Sequence, residues 1–241
     1  KLALGKVLEK IRTAREMPRP ICEDTGVPVF YVSVPIGLSH IEVEKTIIEA
    51  TRIATRKIPM RPNAVDIITG KNSGDNTGEG FPIIYFKETS GSTLTIDLML
   101  KGGGCENIGQ LYKLPISNRK AGKIFNEVGE CVMDCIKMAK GKGCPPYVIG
   151  VGIGASKDQV TTLAKSQLMR KLASLNEEPV LAKLEKKLLK EINSLGIGPL
   201  GLGGKATALG IKVGVNHRHS TSCFVDISVA CWAHRRGRLM W

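Results

Sequence analysis

Seven cysteines, at positions 22, 105, 131, 135, 144, 223 and 231, are the residues of this chain best suited to chemistry. Their number is odd, and the opening stretch KLALGKVLEKIRTARE mixes charge into its apolar pattern, unlike a secretory signal. A disulfide framework is therefore not expected, which leaves core packing or metal ligation. Cys131 and Cys135 share one face of a helix predicted over 119–139 with Ile124 and Val128, where a thiol serves as a small hydrophobe. Cys22, Cys144 and Cys231 differ. Each falls in irregular backbone or at a strand end, before Glu-Asp-Thr-Gly, Pro-Pro and Trp-Ala-His-Arg-Arg respectively. They are dispersed, without a C-x-x-C pair, which argues against a zinc ribbon or a ferredoxin-type cluster. Three dispersed thiolates holding a cubane, with the fourth iron left open, would suit Lewis-acid catalysis rather than electron transfer. On spacing alone, ordinary structural cysteines remain the plainer reading.

The elements that must position these residues follow from periodicity and punctuation. A first helix covers about 1–16 and stops at Pro18 and Pro20, and a strand, PVFYVSVPI, follows the polar turn at 22–26. Ser39 with Glu42 forms a capping box for a helix carrying Val43, Ile47, Ala50 and Ala54 on one face. Residues 58–82 form a long polar loop, of the kind that is usually functional when it sits in a compact domain. Strands are expected near 83–87 and 93–100, the second running into Lys101-Gly102-Gly103-Gly104-Cys105-Glu106-Asn107. After the 119–139 helix come strand YVIGVGIG, a helix capped by Ser156 and Gln159 that packs through Val160, Leu163, Ala164, Leu168 and Leu172, and a helix near 179–194. A glycine-rich loop, strand ALGIKVGV, the segment NHRHSTSC and FVDISVACWAHRR close the chain. Helices and strands alternate without the rhythm of a doubly wound sheet. The expected fold is mixed α/β (α+β): one domain over 1–241, with mixed sheets flanked by helices.

The net charge is +13, with 42% hydrophobic residues and only 5% aromatics. That charge raises nucleic-acid binding as a possibility, but Lys and Arg are spread along the chain, and LEKKLLKEI alternates sign on an amphipathic helix. An anionic small molecule or an acidic partner subunit uses positive charge equally well. No run of eighteen apolar residues offers a membrane span, and a cytoplasmic location is the default expectation.

Local motifs sharpen the reading. Cys22-Glu23-Asp24-Thr25-Gly26 resembles the C-[QE]-D-T-G motif of class I fumarases and L-tartrate dehydratases, and Arg61-Pro62-Asn63-Ala64-Val65 resembles their R-P-N-A-V segment. Residues 70–78, GKNSGDNTG, are similar to their G-K-N-T-G-D-N-T-G loop, and Lys101 to Asn107 to K-G-G-G-S-E-N. Cys144-Pro145-Pro146, Gly201 to Lys205 and Cys231-Trp232-Ala233 resemble C-P-P, G-L-G-G-K and the closing C-W-A. These occur in family order across nearly the whole chain, which makes the set specific where no single motif is.

The resemblance implies a [4Fe–4S] cluster held by Cys22, Cys144 and Cys231, whose open iron coordinates the hydroxyl and a carboxylate of a small dicarboxylate. Cys223 is the rival for the third position, and Cys105 stands where the family usually has Ser. Asp24, two residues from a ligand, is the first choice for an acid/base or hydroxyl-orienting group, and an Asx turn is its structural alternative. His219, twelve residues before Cys231, matches a substrate-proximal histidine, with His217 the lesser alternative and a plain surface loop the structural one. Arg61 is expected to grip a substrate carboxylate, because a guanidinium recognises carboxylates bidentately. Glu23 and the backbone around Gly104 are the other expected substrate contacts. In single-chain members a second domain follows this region, so the resemblance implies a separate beta subunit that completes the active site in a hetero-oligomer. The expected reaction is reversible hydration of fumarate to L-malate, with dehydration of L-tartrate as the alternative. Outside the enzyme class stand an inactive cluster-bearing regulator and a basic nucleic-acid-binding protein.

Overall fold

The computed structural model describes residues 2–17, 19–115 and 121–241. The chain divides into two compact units, one of Gly5–Gly103 with Ala233–Trp241 and the other of Gly104–Trp232 with Lys1–Leu4. Each carries its own four-stranded mixed sheet, giving a mixed α/β architecture.

Helix α1 (Leu2–Glu16) comes first. The sheet of the Gly5–Gly103 unit is built from β1 (Val27–Pro35), β2 (Ile83–Thr89), β3 (Thr95–Lys101) and the closing strand β8 (Arg235–Met240), in the order β2-β1-β3-β8. β2 runs parallel to β1, and β3 runs antiparallel to both β1 and β8. Helix α2 (His40–Lys57) packs Val43 and Ile47 against Val32 and Val34. Its cap is the expected one, with the Glu42 N–H donating to Ser39 Oγ at 3.4 Å. Its buried stripe is corrected: Thr51 and Thr55 continue it where Ala50 and Ala54 were expected. Threonine is tolerated there because each hydroxyl donates back to a carbonyl one turn earlier, Ile47 O and Thr51 O, both at 2.8 Å.

In the Gly104–Trp232 unit the strands are β4 (Gln110–Lys113), β5 (Tyr147–Gly154), β6 (Ala208–Val215) and β7 (Phe224–Ala230), in the order β4-β7-β5-β6. All eight residues of β5 are buried, as an apolar run covered on both faces must be. Tyr147, Ile149, Val151 and Ile153 join Val128, Val132 and Ile136 of α4 (Ala121–Ala139) and Leu184, Leu188 and Ile192 of α6 (Pro179–Ser194) in one core. Helix α5 (Lys157–Gln167) packs on the opposite face of β5. It ends before Leu168 and Leu172, so the expected helix is shortened. Gln159 is used, although it accepts from the Ala155 N–H at 3.1 Å while Ser156 makes no side-chain cap.

Buried Glu185 ties α6 to its surroundings. Its Oε1 accepts from Arg170, Asn176 and the Val213 N–H at 2.7–2.8 Å. A buried carboxylate survives only when its lone pairs are filled in this way. The short helix α3 (Gly103–Glu106), β4 and β8 were not anticipated. Among the described residues no helix is long and apolar enough to cross a membrane.

Candidate functional site

In the Gly5–Gly103 unit the candidate groups gather around the D-T-G turn that leads into β1. Asp24 is held at both oxygens: the Gly26 N–H donates to Oδ1 at 3.0 Å and the Gly103 N–H to Oδ2 at 2.8 Å. The first bond is the Asx turn weighed above. The second fixes the carboxylate against the glycine run that follows β3. A Cβ on Gly102 would stand 3.1 Å from Asp24 Oδ2, so a side chain there would push the carboxylate aside. Gly26 has φ +89°, and a Cβ on it would lie 2.9 Å from the backbone of Leu100 and Lys101. Only glycine lets the turn lie this close to β3. Cys22 precedes this turn, half-buried in irregular backbone, and Glu23 is exposed.

Buried Thr25 then reaches the R-P-N-A-V segment. Its Oγ1 accepts from the Arg61 N–H at 3.0 Å and donates to Arg61 O at 3.4 Å. Asn63 Nδ2 donates to Gly26 O at 3.1 Å. This leaves the exposed Arg61 side chain projecting from a backbone pinned to the Asp24 turn.

A residue not singled out from the sequence organises the arrangement. Asn76 is fully buried with φ +59°. Its Oδ1 accepts from the Asn63 N–H at 2.7 Å, and its Nδ2 donates to Arg61 O and Thr55 Oγ1, both at 3.1 Å. Neighbouring Asp75 pairs with Arg52 at 3.2 Å, and the hydroxyl of Thr77 donating to its carboxylate holds that carboxyl below its ordinary range. The signal was present in GKNSGDNTG: asparagine is the side chain that best tolerates left-handed backbone.

In the Gly104–Trp232 unit β5 and β7 run antiparallel, with Val148 opposite Ala230, which brings the segment before β5 beside the segment after β7. Cys144 and Cys231 occupy these two segments, and the Trp232 N–H donates to Cys144 O at 3.4 Å. Cys144 is exposed, with φ +58°, backbone that a non-glycine residue rarely adopts without a compensating use. The G-L-G-G-K region backs the C-P-P turn, Leu200 donating its N–H to Pro145 O at 2.8 Å. Cys105 is buried next to this turn, its thiol donating to Gly143 O at 3.4 Å. Gly104 is exposed, with open space around it. The Tyr147 hydroxyl donates to Lys142 O, and burial, followed by the neighbouring Cys105 and Cys144 thiols, raises its pKa.

Other candidates lie elsewhere in this unit. Cys223 directly precedes β7, and His219 belongs to the loop between β6 and β7. Ser222 of that loop donates to Ala155 O, beyond the far end of β5. The eight residues of β5 therefore separate His219 and Cys223 from Cys144 and Cys231, a span of about 25 Å. His219 is exposed. Its Nδ1 accepts from the Thr221 N–H at 3.1 Å and faces Thr221 Oγ1 at 2.8 Å, which leaves Nε2 to carry the proton in the neutral ring. Cys135 is buried and donates to Ile108 O at 3.3 Å. Burial pushes its thiol up to about 12 and that of Cys131 to about 11, so neither is a thiolate at neutral pH. Among the described residues no three His, Cys, Asp or Glu side chains form a ready metal site.

Comparison with known proteins adds an independent line. The family model described as Fumarate hydratase (Fumerase) matches residues 1–240. A Geobacillus stearothermophilus protein bearing the provisional name fumarate hydratase class I is 41% identical over 98% of this chain and 46% of its own length. A Methanocaldococcus jannaschii protein provisionally named L(+)-tartrate dehydratase subunit alpha is 37% identical over 98% of this chain and 83% of its own. The L(+)-tartrate dehydratase subunit alpha of Escherichia coli O157:H7 is 33% identical over 99% of this chain and 79% of its own. The chain thus spans about half of the first relative and about four-fifths of the other two.

Proposed function

The chain belongs to the fumarate hydratase (Fumerase) family, and from that premise we propose that it is the cluster-binding alpha part of a [4Fe–4S]-dependent hydro-lyase interconverting fumarate and L-malate. The adjacency of Cys144 and Cys231, with the exposed Cys144 thiol on left-handed backbone, is the observation that carries this reading. Cys22, on the other unit, is the third proposed ligand. The donor chemistry fits the group: three thiols outside the apolar core, where Cys131 and Cys135 are instead kept protonated by burial. Cys223 lies a strand's length from Cys144, which favours Cys231 as ligand.

When bound, such a cluster supplies a Lewis acid that makes the substrate hydroxyl a better leaving group. The chain's own residues supply part of the rest. Asp24 is oriented by two backbone N–H donors and keeps further lone pairs with which to hold the hydroxyl or take a proton. Arg61 projects a guanidinium that binds a substrate carboxylate. Glu23 and the open backbone at Gly104 border the dicarboxylate. His219 relays a proton through Nε2. Because it lies a strand's length from Cys144 and Cys231, it is proposed to serve the centre of a second copy of the chain. A beta subunit supplies the remaining substrate-binding groups in a cytoplasmic hetero-oligomer.

The alternative substrate is L-tartrate, favoured by the names of the two relatives matched over about four-fifths of their length. Anaerobic assembly with a beta partner, followed by fumarate, malate and tartrate assays, tests the proposal. Turnover that requires both chains and prefers fumarate supports the main reading, and tartrate preference selects the alternative. No turnover of any of the three by cluster-loaded, assembled protein contradicts the hydro-lyase assignment.

A further inference from the structure

Lys165 is a charged side chain that the proposed reaction does not use. It sits on α5, only 8% exposed, and its ammonium donates to Glu106 Oε1 at 2.6 Å. Taking an ammonium out of water is costly, and a charge-assisted bond offsets that cost. The two residues are 59 positions apart, so the bond ties α5 to the short helix α3.

α3 needs such a tie. Its four residues make a single turn, too short to hold itself. Its later residues are pinned: the buried Cys105 thiol donates to Gly143 O at 3.4 Å, the Gly109 N–H donates to Glu106 O at 3.2 Å, and Lys165 holds the Glu106 carboxylate. The fit against the turn that carries Cys144 is close, since a Cβ on Gly143 would lie 3.2 Å from Gly104 O. Gly104 itself is exposed, with open space on its other side. We infer that Lys165 is a positioning residue: through Glu106 it locks α3 and thereby sets the Gly104 backbone. The inference rests on the proposed function, in which that backbone borders the dicarboxylate. Lys165 acts through Glu106 and not on the substrate itself.

Two measurements test this. On the purified chain, which needs neither cluster nor turnover, Lys165→Met should speed hydrogen exchange at the Gly109 amide at least about tenfold, while Val151 of β5 keeps its protection. In the assembled enzyme, at equal iron content, Lys165→Met should raise KM for the dicarboxylate about tenfold with kcat changed less than about twofold, because contacts at Gly104 weaken alike in the ground and transition states. Lys165→Arg, which keeps a cation, should recover most of the lost affinity. Glu106→Gln should reproduce the rise in KM, and the double variant should be no worse than either single one. Glu106→Gln decides the matter if Lys165→Met does not fold. A lowered melting temperature with KM and Gly109 exchange unchanged, or additive effects of the two substitutions, overturns the inference. If the assembled wild-type protein turns over no dicarboxylate, the proposed function fails, and Gly109 exchange still decides whether Lys165 locks α3.

Discussion

Asn76→Ala is the substitution whose consequence follows most directly from the geometry. The side chain is fully buried and makes three hydrogen bonds, to the Asn63 N–H, Arg61 O and Thr55 Oγ1. Thr55 Oγ1 keeps its bonds to Thr51 O and Asp75 O, and Arg61 O keeps Thr25 Oγ1. The Asn63 N–H is the group most exposed to loss. At roughly 1 kcal/mol per net bond, with a further penalty for a stranded donor, the deletion costs about 3 kcal/mol. Alanine at φ +59° adds about 1 kcal/mol of backbone strain, which Asn76→Gly would remove. The assay is native-state hydrogen exchange at Asn63, supported by urea unfolding, because local opening of the 61–63 segment is visible there even when global unfolding is not two-state. Asn76→Ala should speed exchange at Asn63 more than a hundredfold, by roughly 3 kcal/mol of lost protection, with Asn76→Gly about 1 kcal/mol milder in unfolding. Exchange at Asn63 unchanged, or a stability loss below about 0.5 kcal/mol, would refute the assigned role.

Further predictions follow from the same contacts. Gly102→Ala should displace the Asp24 carboxylate, lowering kcat of the assembled enzyme about tenfold or more while iron content and melting temperature barely change; unaltered kcat would remove Asp24 from the reaction. The buried Cys135 thiol is raised to about 12, so its contribution to stability is intact below the unfolded thiol value of about 8.5 and is lost as pH rises toward 12. Urea midpoints should therefore fall with rising pH above about 8.5, and less steeply in Cys135→Ala; equal slopes would contradict the burial argument. If His219 serves the centre of a second copy, inactive His219→Asn and inactive Cys231→Ser should complement when co-assembled, reaching about a quarter of wild-type activity for randomly mixed dimers. A mixture as inactive as its parts would return His219 to a surface role.

Much of this was legible in the sequence. The helix and strand periods located α1, α2, α6, β1, β5 and β6 closely, because each has a continuous apolar face or run. The α2 stripe was misjudged at Ala50 and Ala54 because threonine counts as polar until its hydroxyl is seen folded back onto the helix. β4, with four residues, and β8, arginine-rich and apolar only at Leu239 and Met240, carry too little pattern to stand out. The chain passes between its two compact units at 4–5, 103–104 and 232–233, the last two inside the KGGGCEN and CWA segments, where no linker composition marks the crossing. Motifs pointed to Cys22, Asp24, Cys144 and Cys231, but pairings decided by strand register were not readable. The nearness of Cys231 to Cys144, and the remoteness of Cys223 and His219, follow only once β5 and β7 are known to be antiparallel.

The central claim is that Cys22, Cys144 and Cys231 hold a cluster. Iron and acid-labile sulfide, measured on chain purified without oxygen, test it most directly. The account predicts about four of each per chain, lowered by Cys22→Ser, Cys144→Ser or Cys231→Ser and unchanged by Cys131→Ser or Cys223→Ser. A folded chain that takes up no iron after anaerobic reconstitution, or one that loses its iron equally with Cys131→Ser, would contradict it.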